Sequence, residues 1–131
     1  NKQFVANFKA YCKKNNLPDG DKRVTDDPIE AAYFGVHVWK QAVEKAGSTD
    51  VDAVRNAVYG QKFLAPGGEI MMDEANHHTH KPVLIGEIMK DGQLKVVWRS
   101  KGLVKPEPWS EYTNPEKGCD WVKHQGTYKK G

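Results

Sequence analysis

The sequence predicts an α/β chain, and three observations carry that prediction. Apolar residues recur at helical spacing from Gln3 to about Gly60, β-rich runs take over after Gly60, and turn-forming residues separate the segments. The 131 residues suffice for one domain or a piece of one. Phe4, Val5, Phe8 and Tyr11 place a first helix over residues 3–14, stopped by the run Asn15-Asn16-Leu17-Pro18-Asp19-Gly20.

The second helix has the strongest local signal. Asp27 reads as its cap, Pro28 suits the first helical position, and Glu30 completes a capping-box pattern. Ile29, Ala32, Tyr33, Val36, Trp39, Val43 and Ala46 then form the stripe expected to face a core, and Gly47 closes the helix. A shorter helix follows, with Thr49 as cap, Val51, Val54 and Val58 on one face, and Gly60 as the stop.

Residues 63–73 read as extended chain broken by a turn at Pro66-Gly67-Gly68. Residues 83–89 and 94–98 are two β-rich runs around Asp91-Gly92, which predicts a hairpin closed by a type I′ turn. Both faces of its first strand are partly apolar, so the hairpin is expected to be covered. Beyond Lys101 periodicity fades, and Trp109, Tyr112 and Trp121 are expected to anchor a tail across a surface. Three helices and few strands make a poor closed domain, and the chain opens without Met directly on a helical pattern. Both features lead to the expectation of a fragment or a processed chain.

Composition excludes some classes of function. Lys+Arg 20 against Asp+Glu 17 leaves a net charge of only +3, and the cations are interleaved with acids, so no nucleic-acid partner is implied. Mean hydropathy is −0.75, and no apolar run approaches the ~18 residues of a spanning helix. Cys12 and Cys119 lack CxxC neighbours. Pairing them would contribute about 4–5 kcal/mol in the chain-entropy treatment, and unpaired cysteines are an equal reading on count alone.

Catalytic motifs are missing: no GxSxG, P-loop or GxGxxG occurs, so the chain is not expected to be an enzyme or to carry a cofactor. His77, His78 and His80, with Asp73, are residue types that bind zinc. Adjacent histidines point apart on either a helix or a strand, however, and a hydrogen-bonding loop outweighs a metal site. His37 and His124 stand alone. Tyr33 and Trp39 could form a ligand face, although aromatics at helical spacing are more often core.

A family resemblance takes the reading further. Asp26-Asp27-Pro28-Ile29-Glu30-Ala31-Ala32-Tyr33 and the run from Val38 to Gly47 resemble the substrate-binding proteins of urea and short-chain amide ABC transporters. The likeness continues through Ser48 to Arg55, Gly60 to Phe63, Asn76-His77-His78, Lys81-Pro82-Val83, Ile85 to Ile88, Asp91-Gly92-Gln93, Val97-Trp98 and Pro108-Trp109-Ser110. It covers residues 1–112 and is to the C-terminal part of the family chain.

That resemblance implies a two-lobed, type I periplasmic-binding-protein fold of the leucine/isoleucine/valine-binding kind. Residues 1–82 would finish the first lobe. Residues 83–131 would hold a hinge crossing, a second-lobe hairpin and the tail. It implies capture of urea or a short-chain amide in the periplasm, delivery to an inner-membrane ABC permease, and dependence on the remainder of the parent chain. Urea presents a carbonyl acceptor and two amino groups, so a closed site needs facing acceptors. The matching cleft positions fall at Asp27 and Pro28, with Tyr33 behind them. The alternatives are an amide sensor of the same fold and a metal-binding protein using His77 to His80. This chain alone is not expected to bind urea tightly.

Overall fold

The computed structural model describes residues 1–107. The predicted tail anchors Trp109, Tyr112 and Trp121, together with Cys119 and His124, lie outside the described residues. The chain runs through α1 (Lys2–Lys14), a short 3₁₀ turn (Gly20–Lys22), α2 (Asp27–Ala46) and α3 (Val51–Val58). It continues through β1 (Lys62–Ala65), β2 (Gly68–Met72), β3 (Thr79–His80), β4 (Leu84–Ile88) and β5 (Leu94–Arg99). The α/β class read from periodicity is the one observed. No described helix is long and apolar enough to cross a membrane.

The helix starts are shifted by one residue from the sequence reading. Asp26, not Asp27, caps α2: its Oδ1 accepts the Ile29 N–H at 2.9 Å, which places Asp27 and Pro28 in the first turn. Glu30 is therefore past the capping-box position. Asp50, not Thr49, caps α3 by accepting the Ala53 N–H at 2.9 Å. In both cases two adjacent polar residues could have served, and backbone extension at the earlier or later one decides. α1 ends with Asn16 in the left-handed region, and the Leu17 N–H folds back onto the Cys12 carbonyl at 3.0 Å.

Three antiparallel strands form a sheet in the order β1-β2-β3, with Phe63 opposite Ile70 and Met71 opposite His80. α2 lies on this sheet. Phe34 and Val38 of α2 pack with Ala65 and Ile70 as one core cluster, and Ala42 packs with Val54 and Ala57 of α3 as a second. The buried stripe of α2 is thus Phe34, Val38 and Ala42, and the stripe expected from sequence lies mostly on the other side. Tyr33, Val36 and Trp39 are 42%, 66% and 54% exposed. α2 is apolar on two faces, and the described residues cover one of them. Val51 is likewise exposed, because α3 turns Val54, Ala57 and Val58 inward.

β4 and β5 pair as a separate two-stranded sheet, with an irregularity between Ile85 and Gly86. The turn differs from the type I′ expectation, because only Gly92 takes positive φ, at 79°. The Gly92 N–H donates to the Met89 carbonyl at 2.9 Å and the Gln93 N–H to Asp91 Oδ1 at 3.0 Å. A longer turn closed by one left-handed glycine results. Every residue of β4 and β5 is exposed, so among the described residues the expected cover on this hairpin is absent.

Candidate functional site

The capped start of α2 projects Asp27 and Glu30 from one side of its first turn. Pairing of β2 with β3 delivers Lys81, the residue after β3, to the same place. Lys81 Nζ donates to Asp27 Oδ1 and lies 3.5 Å from Glu30 Oε2. It also stands 5.5 Å from the centroid of the buried Phe34 ring. Glu30 Oε1 accepts the Gly67 N–H, so the turn between β1 and β2 is tied to the same carboxylate. A Cβ on Gly67 would lie 2.7 Å from Glu30 Oε1, which is why a side-chain-free residue permits this approach.

These groups border a cavity of about 220 Å³ whose apolar wall is Ile70, Pro82 and Leu84. Two carboxylates against one ammonium leave the rim acceptor-rich, partly balanced by the positive end of α2. Glu30 is 15% exposed and committed to Gly67 and Lys81, whereas Asp27 is 75% exposed and open to solvent as well. Chemically, the cavity suits a small molecule that offers N–H donors.

Tyr33 belongs elsewhere. With Phe4, Phe8, Tyr11, Leu64 and Pro66 it lines a larger cavity of about 860 Å³ between α1 and the β1–β2 turn. Its ring sits 4.9 Å from Phe4 and 4.7 Å from His37, and His37 stacks on Phe63 at 5.0 Å. The isolated His37 of the sequence is therefore a link in an aromatic chain from α1 to β1. Of the three residues singled out beforehand, Asp27 lines the smaller cavity, Tyr33 the larger, and Pro28 neither. Gly67 and Gly68 border both cavities. Glu30 and Lys81 were not expected at a site, because 51 positions separate them and only the β2–β3 pairing joins them.

The histidine cluster disperses. His80 Nε2 lies 2.8 Å from Asp73 Oδ2, while the His77 ring stacks on Tyr59 at 4.1 Å, its Nε2 3.2 Å from the Arg55 carbonyl. His78 is exposed and takes part through its backbone, its carbonyl accepting the Asp73 N–H at 2.7 Å. Among the described residues no three His, Cys, Asp or Glu side chains gather as a metal site would require. The Asp73 carboxyl is held below its ordinary range, chiefly by the Ala75 N–H and then by His80, against the opposing effect of burial.

A profile of the periplasmic binding protein domain matches residues 1–115. The chain belongs to the periplasmic binding protein family. This family member is similar in structure to a solute binding protein of an ABC transporter from Rhodopseudomonas palustris BisB5, solved in complex with 3,4-dihydroxy benzoic acid. The TM-score is 0.59 at 27% identity, and the match covers 80% of this chain and 28% of that one. It is also 31% identical over 108 residues to a protein of Geobacillus stearothermophilus named limonene hydroxylase, covering 82% of this chain and 18% of that protein. The chain thus spans less than a third of the length of either relative.

Proposed function

We propose that this chain is part of the solute-binding component of an ABC importer, working without catalysis in the periplasm. It captures urea or a short-chain amide in a cleft between two lobes and hands it to an inner-membrane permease. In this reading residues 1–82 complete one lobe and residues 83–131 begin the other. The remainder of the parent chain covers the exposed Tyr33–Val36–Trp39 face and the hairpin. The relative named limonene hydroxylase shares a stretch amounting to 18% of its length, too little for its name to bear on this chain.

One observation carries the choice of ligand: the acceptor-rich cavity bordered by Asp27, Glu30 and Lys81. A urea or amide N–H can donate to Asp27, whereas a carboxylate ligand would meet two like charges against a single cation that they already engage. An aromatic acid such as the one held by the Rhodopseudomonas protein is the competing ligand class.

Calorimetric titration of the complete parent protein with urea, acetamide and 3,4-dihydroxybenzoate, in chelator-containing buffer, tests this. Saturable one-to-one heat with urea or acetamide is expected. Heat with the benzoate alone would replace the amide class by aromatic acids. Silence with all three would remove the amide assignment and leave the fold standing with its ligand class open.

A further inference from the structure

All of β4 and β5 is exposed, so burial does not decide where this hairpin sits relative to the helices. The joints at its base are local and polar. Val104 N–H donates to the Lys81 carbonyl at 2.9 Å, Ser100 N–H to the Val83 carbonyl at 2.9 Å, and Val83 N–H to Ser100 Oγ at 3.0 Å. These bonds bind the two ends of the hairpin to each other. The β2–β3 pairing stops at His80, and past it the Lys81 side chain reaches back to α2.

We infer that Lys81 is an electrostatic latch that fixes the base of the β4–β5 hairpin against the first turn of α2. Its ammonium holds Asp27 and Glu30 together and stands over the Phe34 ring, so one side chain joins helix, sheet turn and hairpin entry. Lys81 is 25% and Glu30 15% exposed, so their pairing is less screened than an ordinary surface ion pair. Glu30 is also pre-oriented by the Gly67 N–H, which lowers the entropy lost on holding the cation. Removing the ammonium would leave a half-buried carboxylate without its counter-charge, and the segment that carries Lys81 would loosen. The latch depends on this geometry alone and would stand even if the protein bound no solute.

Hydrogen exchange on the full chain tests the latch, read at the amides of Val83, Ser100 and Val104. Lys81→Met keeps the stem and removes the charge. It should speed exchange at these amides by about fivefold or more, while Val38 and Ala42 inside α2 stay protected. Lys81→Arg should restore protection. Glu30→Gln, which keeps the Gly67 acceptor, should reproduce part of the effect, and the Lys81→Met/Glu30→Gln pair should show no added loss. Wild-type protection in Lys81→Met, an equal loss inside α2, or additive single effects would each overturn the latch.

Discussion

His80 Nε2 lies 2.8 Å from Asp73 Oδ2, and Asp73, at 4% exposure, is the buried charged residue among the described ones. The carboxyl follows β2 and the imidazole lies on β3, so this pair closes the loop between the two strands. The Ala75 N–H, donating to Asp73 Oδ1 at 2.8 Å, satisfies the other oxygen. Because the Asp73 carboxyl is held below its ordinary range, it is ionised at neutral pH, and the His80 Nε2–H is then the donor.

A pH dependence follows with a defined sign. Asp73 gains from folding in its charged form, so its contribution is complete above the unfolded carboxylate value of about 3.9. It is lost as pH falls through the lower folded value. Asp73→Asn should lower Tm by several degrees at neutral pH, and the two Tm curves should converge in acid. Parallel curves down to the acid limit would show that Asp73 titrates normally.

The two core clusters predict a steep contrast between apolar positions. Ile70 is 1% exposed, and Ile70→Ala should cost about 2–5 kcal/mol in denaturant unfolding. Val51 is 77% exposed, and Val51→Ala should stay within about 0.5 kcal/mol. Similar losses at both positions would mean that something else covers α3.

Capping is assigned to Asp26, which Asp26→Ala should reveal as a loss of about 1 kcal/mol. Asp27→Ala should cost less, since its exposed carboxylate caps nothing and, among the described residues, pairs only with Lys81. A larger loss at Asp27 would return the cap to the position favoured by the sequence pattern.

The hairpin turn sets up a glycine comparison. Gly92 has φ +79° with open space around it, so Gly92→Ala should cost about 1 kcal/mol through backbone strain alone. Gly102 has open space and no positive φ, and Gly102→Ala should be neutral by the same thermal unfolding measurement.

Within the solute-binding proposal, the two cavities separate cleanly. Asp27→Asn in the parent protein should weaken urea binding by about tenfold through loss of a charged acceptor. Tyr33→Phe should leave it unchanged, because Tyr33 lines the other cavity. The reverse outcome in calorimetry would move the ligand site to the aromatic cavity.

Local signals were legible where one residue does one job. Gly47, the Asn15–Gly20 run and the Pro66–Gly67 turn stop or bend the chain through local backbone preference, and each element boundary they imply is present. Periodicity identified α2 as a helix but misassigned its buried face, since Phe34, Val38 and Ala42 compete with a second apolar stripe of equal spacing. The residue pattern marked Asp27 and, as a capping residue, Glu30 in the same helix turn, yet gave no hint of Lys81 as their partner, because that meeting depends on strand register.

By itself, the sequence determined which segments are helical or extended, where they stop, and that its histidines are ill-placed to converge. Those are consequences of backbone freedom, capping chemistry and side-chain direction within a few residues. Only the tertiary structure decided which face of α2 is buried, that Asp73 takes His80 as its partner, and that Lys81 closes on the first turn of α2. The first and last join residues far apart in the chain, Asp73 and His80 stand only seven positions apart, and all three features rest on the antiparallel pairing of β1, β2 and β3. A one-residue slip of that register would turn Lys81 and His80 to opposite faces and dissolve both pairs.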